Sequence, residues 1–313
     1  MSGSVPPTLP DSFFIPPVVL ICEEFRGPGK PSRFNPTHSF AEFMPVETSL
    51  AETRLRGIIR RFERVLVAYS GGVDSALVLT VAHQELGKNA IGVTAHSPSV
   101  PERERRAAAA FAQSLGVRHI VVETGEVDLP DYRENPANRC FFCKTELYTH
   151  LQSIAAVEGI ATVLNGTNRD DLGDHRPGLQ AAEHFRVSSP LVEAGMRKQD
   201  VRDVARALGL PLWEKPASPC LASRIPYGQE VTREKLGMVE RAEDFLLSLG
   251  YRELRVRHFG NRAVIELPRH AIGAFVNGPH RKQAEDRLLQ LGFDQVEIDP
   301  EGFRSGNLNS ALS

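Results

Sequence analysis

The chain has no apolar run near the roughly 18 to 20 residues that cross a bilayer. It has only four cysteines and one tryptophan in 313 residues, and its formal net charge is −2. The first absence leaves no candidate membrane span. The longest early apolar stretch, Pro16 to Cys22, has no basic flank before it and no small-residue cleavage site after it, so a cytoplasmic protein is expected. Cysteines at 22, 140, 143 and 220 are too few and too unevenly spaced for a secreted disulfide framework, which leaves metal binding or thiol chemistry. The near-neutral charge, with a pI near 6.6, argues against a nucleic-acid coat and favours a small-molecule ligand. No internal repeat and no low-complexity tract is present.

What is present falls into three segments. Residues 1–50 carry Pro6, Pro7, Pro10, Pro16, Pro17, Pro28, Pro31 and Pro36 and predict an irregular extension, with Cys22 an unremarkable thiol. Residues 51–215 alternate helical patterns with short apolar strands. Helices are expected at Leu55–Phe62, Ala76–Glu85, Glu102–Leu115, Arg139–Val157 and Lys198–Leu208, and strands at Val65–Ala68, Ala90–Thr94, His119–Val122 and Thr162–Leu164. Such alternation specifies an α/β fold with a parallel sheet covered on both faces and ligands at the carboxyl ends of its strands. Residues 216–313 read helix, strand, strand, helix, strand (Arg233–Leu249, Glu253–His258, Ala263–Leu267, Arg281–Leu291, Gln295–Ile298), a smaller α+β domain for substrate binding or oligomerisation.

The first strand runs from Ala68 through Tyr69 into Ser70-Gly71-Gly72-Val73-Asp74-Ser75 and then a helix. Adjacent glycines let successive N–H groups turn inward around an anion, and the helix adds its free N–H groups and positive dipole end. Ser70 and Ser75 supply hydroxyls. Asp74 would repel phosphate unless it holds Mg²⁺ or orients the loop. The lysine of a Walker loop and the spaced glycines of a dinucleotide fingerprint are both missing. The string resembles instead the PP-loop of ATP pyrophosphatases, which split ATP into AMP and pyrophosphate and thereby adenylate a substrate.

Cys140-Phe141-Phe142-Cys143-Lys144 opens a predicted helix that puts both sulfurs on one face, where the helix N-terminus would favour the thiolate. Cys220 sits in a proline-flanked loop. Three buried thiols without chemistry, a structural zinc lacking an evident fourth ligand, and an iron–sulfur cluster with one open iron all fit this pattern.

Taken together, the PP-loop, Arg139 to Lys144, Leu164-Asn165-Gly166-Thr167-Asn168 with Asp170-Asp171, Arg176-Pro177-Gly178, Pro216-Ala217-Ser218 through Gly228, Leu254 to Arg257 and Glu301 to Ser305 resemble the LarE sulfur transferases, from about Leu55 to Ser305. The resemblance implies ATP-driven conversion of the two carboxylates of a pyridinium-3,5-dicarboxylate mononucleotide to thiocarboxylates, in nickel-pincer nucleotide cofactor biosynthesis. It implies either a 4Fe-4S cluster on three cysteines that delivers sulfide from a sulfide source, or a sacrificial cysteine that gives up its own sulfur. Cys140, Cys143 and Cys220 match the cluster class, with Cys220 as sacrificial donor the rival.

Lys144 is then a candidate to neutralise phosphate or cluster charge. Gly166, Thr167 and Asn168 are candidates for nucleotide contact, the glycine by permitting close approach, and Asp170 or Asp171 for Mg²⁺. Arg255 and Arg257 alternate on a strand and share a face, so with Ser223 and Arg224 they can clamp a substrate phosphate, and Glu243 and Glu266 belong to the same candidate pocket. Arg103 to Arg106 is expected to be a solvated face, and Trp213 to be core. A homo-oligomer is expected. Three other readings compete: a tRNA-thiolating PP-loop enzyme, an amidating PP-loop synthetase, and a non-enzymatic nucleotide-binding regulator. The net charge and the absence of a glutaminase segment weigh against the first two.

Overall fold

A helix begins earlier than periodicity alone suggests. Ser49 accepts a hydrogen bond from Glu52 N at 3.1 Å and caps α1 (Leu50–Ile59), so the helix starts and ends ahead of the expected Leu55–Phe62 span. The next element, β1 (Val65–Ala68), is an unbroken apolar run whose side chains serve two cores, Val65 and Val67 on one face and Leu66 on the other. That pattern belongs to a strand covered on both sides. The computed structural model describes residues 49–173, 177–216 and 219–304, and in it β1 lies inside the main sheet. The expectations for residues 1–48, including Cys22, and for Arg176, Ala217, Ser218 and Ser305 lie outside the described residues.

From β1 the chain forms α2 (Val73–Leu86), β2 (Ala90–His96), α3 (Glu102–Leu115), β3 (Arg118–Glu123), the single turn α4 (Pro130–Arg133), α5 (Arg139–Glu158) and β4 (Thr162–Leu164). The four strands pair in parallel in the order β3-β2-β1-β4, as the alternation predicts. Parallel neighbours need crossover helices. After β4 come α6 (Pro177–His184), α7 (Pro190–Glu193) and α8 (Lys198–Ala207). On one face of the sheet α1, α2, α3 and α8 enclose Leu55, Leu77, Phe111 and Val204; on the other, α5 and α6 enclose Tyr148, Leu151 and Ala181. Helix α2 is buried at nearly every residue from Val73 to Ala82, because it lies between the sheet and α1 and α8. Strand order reverses between β1 and β4, so their carboxyl ends diverge and open the crevice where such sheets take ligands.

Helix α9 (Arg233–Ser248) is capped by Thr232, which accepts from Lys235 N at 3.2 Å. Strands β5 (Arg255–Phe259) and β6 (Arg262–Glu266) make a hairpin, followed by α10 (Arg269–Asn277), α11 (His280–Gln290) and β7 (Gln295–Ile298), which adds in parallel to β6. Leu246, Val256, Ile265, Phe275 and Leu288 form the core of this smaller mixed sheet. Four helices were not expected from the sequence: the single turns α4 and α7, and α6 and α10. All are short, and α6 opens on Pro-Gly while α10 carries Gly273 at its centre, so neither of these two has strong propensity. Trp213 is only partly buried against the first core, with Arg206 stacked 5.0 Å over its ring. No helix among the described residues is long and apolar enough to cross a membrane.

Candidate functional site

The phosphate loop closes on itself. Ser75 Oγ accepts from Ser70 N at 3.2 Å, contacts Ser70 Oγ at 3.1 Å and donates to Gly72 O at 3.1 Å, so the two serines tie the ends of the turn. Gly71 has φ +77° and a Cβ there would lie 3.0 Å from Ala108 Cβ of α3, so both its conformation and its neighbour demand glycine. Val73 begins α2 within the motif, three residues ahead of the expected Ala76, which aims the helix N-terminus at the turn. Ala68 ends β1 directly beneath.

A Cβ on Gly166 would sit 2.5 Å from Ser75 N and 2.9 Å from the Asp74 carbonyl carbon, so this glycine permits close approach of the β4 loop to the first turn of α2. From the same β4 loop, Asn168 Nδ2 donates to Asp74 Oδ1 at 3.1 Å, Asn168 N to Asp171 Oδ2 at 3.0 Å, and Asp170 N to Asn168 Oδ1 at 2.9 Å. Thr167 N is held by Asn165 Oδ1 at 3.0 Å. The loops after β1 and β4 are therefore one unit.

Two lysines unremarked in the sequence complete it. Lys198, first residue of α8, places Nζ on Asp74 Oδ2, and its own N–H donates to Asp170 Oδ2 at 2.9 Å. Lys215 Nζ donates to Gly71 O at 2.9 Å and pairs with Glu104 at 2.6 Å. The positive charge that a Walker loop carries in its own sequence is here delivered from 124 and 144 residues away. No local spacing signals it. Among the described residues no three Cys, His, Asp or Glu side chains converge to hold a metal ion. Asp74 alone fits Mg²⁺ that takes most of its ligands from phosphate and water, the usual habit of that ion.

The cysteines are assembled by a clasp that the sequence reading also missed. Asn135, fully buried and at φ +58°, donates through Nδ2 to Pro226 O at 2.7 Å, Gln229 O at 2.9 Å and Ile225 O at 3.2 Å, while its Oδ1 accepts from Arg139. Arg139 in turn donates to Ala222 O at 3.1 Å and lies against the Tyr132 and Tyr227 rings. Leu221 N donates to Ser99 O at 2.7 Å, and Ser99 Oγ meets Tyr132 Oη at 2.6 Å. The Cys220 loop is thereby fastened to both the start of α5 and the loop after β2, at the carboxyl edge of the sheet. The Asn135-Pro136 dipeptide was the available signal, since asparagine tolerates the left-handed region and initiates turns.

Cys140 is exposed; Cys143 and Cys220 are half-buried. The expected thiolate at Cys143 is corrected: burial pushes its pKa up, helped by the nearby Glu126 carboxylate, and these outweigh the opposing pull of Lys144. Burial works to lower the Lys144 pKa, yet Tyr148 and the three thiols Cys143, Cys140 and Cys220 raise it on balance, so the ammonium is firmly charged. Gly178 leaves room for it, since a Cβ there would lie 3.1 Å from Lys144 Cγ.

The candidate phosphate clamp is only partly free. Glu243 accepts from Arg224 Nε at 2.8 Å, Arg224 Nη2 at 3.2 Å, Arg103 at 3.2 Å and Val256 N at 3.2 Å. Glu266 binds Arg257 in a fork at 2.9 and 3.1 Å, and Arg257 Nη1 also donates to Ser223 O at 3.0 Å. Arg224 and Arg257 are thus spent on buried carboxylates, and Arg103, expected on a solvated face, instead pins α3 to α9. Arg255, only 7% exposed, stands apart: its guanidinium lies 4.6 Å over the Phe303 ring and has no carboxylate partner among the described residues. Burial and then repulsion from Arg224 and Arg257 pull its pKa down to about 10 against the weaker attraction of Glu266 and Glu243, so it stays charged at neutral pH.

Residues 53–133 match the family model described as NAD synthase, a stretch that contains the phosphate loop and stops ahead of Cys140. A Lactiplantibacillus plantarum protein named pyridinium-3,5-bisthiocarboxylic acid mononucleotide synthase is 38% identical over 82% of this chain and 92% of its own length. The chain belongs to the LarE family. This LarE chain is also 48% identical to an uncharacterised Synechocystis protein, over 83% of the chain and 97% of the relative. A glutamine-hydrolysing GMP synthase from Leifsonia xyli is more distant, 30% identical over 58% of the chain and 41% of that protein. PP-loop membership implies use of ATP and Mg²⁺.

Proposed function

We propose that this chain is an ATP-dependent sulfur transferase that converts the carboxylates of a pyridinium-3,5-dicarboxylate mononucleotide to thiocarboxylates. A substrate carboxylate oxygen attacks the α phosphorus of ATP, the bond to the β-phosphate oxygen breaks, and pyrophosphate leaves. Sulfide then adds to the acyl carbon, AMP departs with the carbon–oxygen bond, and a thiocarboxylate remains. In this reading the N–H groups of Gly72 to Ser75 receive the pyrophosphate, Asp74 holds Mg²⁺ through one carboxylate, and Lys198 and Lys215 offset phosphate charge.

The observation that carries the proposal is the shared edge. The phosphate loop and the clasped cysteine segments both sit at the carboxyl ends of the parallel strands, in a chain of a sulfur-transfer family. Cys140, Cys143 and Cys220 suit a 4Fe-4S cluster better than a single zinc ion. Cys140 and Cys220 each act electrostatically on Cys143, and cluster thiolates bind separate irons. When bound, such a cluster supplies an open iron that carries sulfide. Lys144 and Arg139 bring positive charge to the three thiols, and deprotonation of the raised Cys143 thiol accompanies metal binding. Arg255 is the substrate-phosphate donor, with Ser223, Arg224, Arg257, Glu243 and Glu266 building the frame that holds it. Residues 51–215 form the adenylating unit and residues 216–313 the substrate unit of a cytoplasmic homo-oligomer.

The test is anaerobic protein assayed for pyrophosphate release with and without the dicarboxylate mononucleotide, together with iron analysis. Release that depends on the mononucleotide, and iron that disappears in Cys140→Ser, Cys143→Ser and Cys220→Ser, support the reading. Release driven instead by tRNA or by ammonia with another acceptor overturns the substrate. Iron-free protein that loses the elements of hydrogen sulfide at Cys220 during turnover overturns the cluster.

A further inference from the structure

Asp74 is the only acid in the phosphate loop, and both of its oxygens are already occupied by the chain's own donors. Oδ1 accepts from Asn168 Nδ2 at 3.1 Å and Oδ2 carries Lys198 Nζ. The Lys198 side chain is 36% exposed, against 21% for Asp74, and its stem starts from a main-chain N–H fixed on Asp170. The ammonium end is therefore free to move while its root is not. A lysine is suited to this, being a compact charge on a flexible four-carbon stem. Mg²⁺ demands near-octahedral ligation and takes one or two carboxylates beside phosphate oxygens. It cannot share the Oδ2 lone pairs with an ammonium already seated on them.

We propose that Lys198 is a placeholder cation, which occupies the Asp74 oxygen until a divalent metal arrives with nucleotide and then turns its ammonium to the phosphates. The inference rests on the MgATP reading above. Without a placeholder, an uncompensated carboxylate would face the incoming triphosphate at the mouth of the loop. With one, the loop presents net neutrality to ATP, and the metal and the lysine exchange partners so that no charge is left unpaired. Lys215 cannot take this part, because its ammonium is bound to Gly71 O and Glu104 on the other side of the turn.

The exchange predicts effects of opposite sign on two ligands. In nucleotide-free protein, Lys198→Gln should bind Mn²⁺ about twofold to fivefold more tightly than wild type, the yield of removing a part-exposed competing ion pair. In EDTA, the same variant should bind α,β-methylene-ATP at least about tenfold more weakly, because the Asp74 carboxylate then faces the triphosphate without its placeholder charge. Lys198→Arg keeps the charge and should leave Mn²⁺ binding as weak as in wild type. A lysine that only braces the loop would, when removed, weaken both ligands or neither, and that result overturns the proposal.

Wild-type protein gives a second readout that needs no variant. Amine labelling of Lys198, followed by mass spectrometry, should rise when Mn²⁺ is added alone and fall again when α,β-methylene-ATP joins it. Labelling indifferent to Mn²⁺ overturns the exchange. Wild-type protein that fails to bind α,β-methylene-ATP even with Mn²⁺ rejects the MgATP reading itself, a separate outcome.

Discussion

Gly166→Ala tests whether the β4 loop and the phosphate loop work as one unit. The added Cβ would lie 2.5 Å from Ser75 N, 2.8 Å from Ser75 Cα and 2.9 Å from the Asp74 carbonyl carbon, all main-chain atoms of the first turn of α2. Ordinary contact begins near 3.4 Å, so one of the two loops must give by about 0.9 Å. Helix α2 is buried along most of its length and cannot slide without disturbing the core on its face of the sheet, whereas its first turn is the part nearest the ligand. Overpacking of this kind costs about 1–3 kcal/mol, which lowers Tm by about 2–10 °C in a protein of this size. A displacement approaching 1 Å in a group that positions phosphate lowers turnover by about a hundredfold. Thermal melting and the rate of pyrophosphate release, measured on the same preparation, separate the two effects. A variant that melts like wild type and releases pyrophosphate at the wild-type rate would refute the contact and the role given to it.

Arg257→Met should destabilise by about 3–5 kcal/mol, because Glu266 is left buried without its fork partner; urea unfolding measures this. Arg255→Met should melt at or above the wild-type temperature, since Arg255 has no carboxylate to lose. It should nonetheless raise KM for the mononucleotide, and the increase should vanish for a substrate lacking the phosphate. His119 is half-buried with Nε2 2.8 Å from Thr94 Oγ1, and its removal from solvent, then His96, holds its pKa at about 4 against an ordinary 6.5. The unfolded chain takes up that proton first, so stability is complete above pH 6.5 and is lost as pH falls from 6.5 toward 4, by about 2 kcal/mol at pH 5. His119→Phe should flatten that part of the urea midpoint's pH dependence. Cys140→Ser, Cys143→Ser and Cys220→Ser should each abolish thiocarboxylate formation while leaving mononucleotide-dependent pyrophosphate release in place, as read by product mass and a pyrophosphate assay.

The parallel sheet was legible because its strands are written as apolar runs: β1 and β4 begin and end where their patterns do, and so does α3, which is bounded by Pro101 and Gly116. The phosphate loop was legible because its chemistry is local. Lys198 and Lys215 were not, because each acts on a partner that the fold brings from far along the chain and nothing in the neighbouring residues records it, and Asn135 shows locally only as a turn-forming dipeptide with Pro136, without its partners. The arginines were placed on the right strand face, but the sequence could not say that Glu243 and Glu266 consume Arg224 and Arg257 and leave Arg255 free. Cys143 makes the same point in reverse: its place at a helix start suggested a thiolate, and the surroundings that raise its pKa, burial and Glu126, come from tertiary packing.

The most direct measurement supplies anaerobic protein with ATP, Mg²⁺, the dicarboxylate mononucleotide and isotopically heavy sulfide, and follows AMP, product mass and intact protein mass together. The account predicts one AMP for each carboxylate oxygen replaced by sulfur, the heavy isotope in the product, and a protein whose mass is unchanged after several turnovers. AMP formed without sulfur in the product, or product formed without AMP, would contradict it.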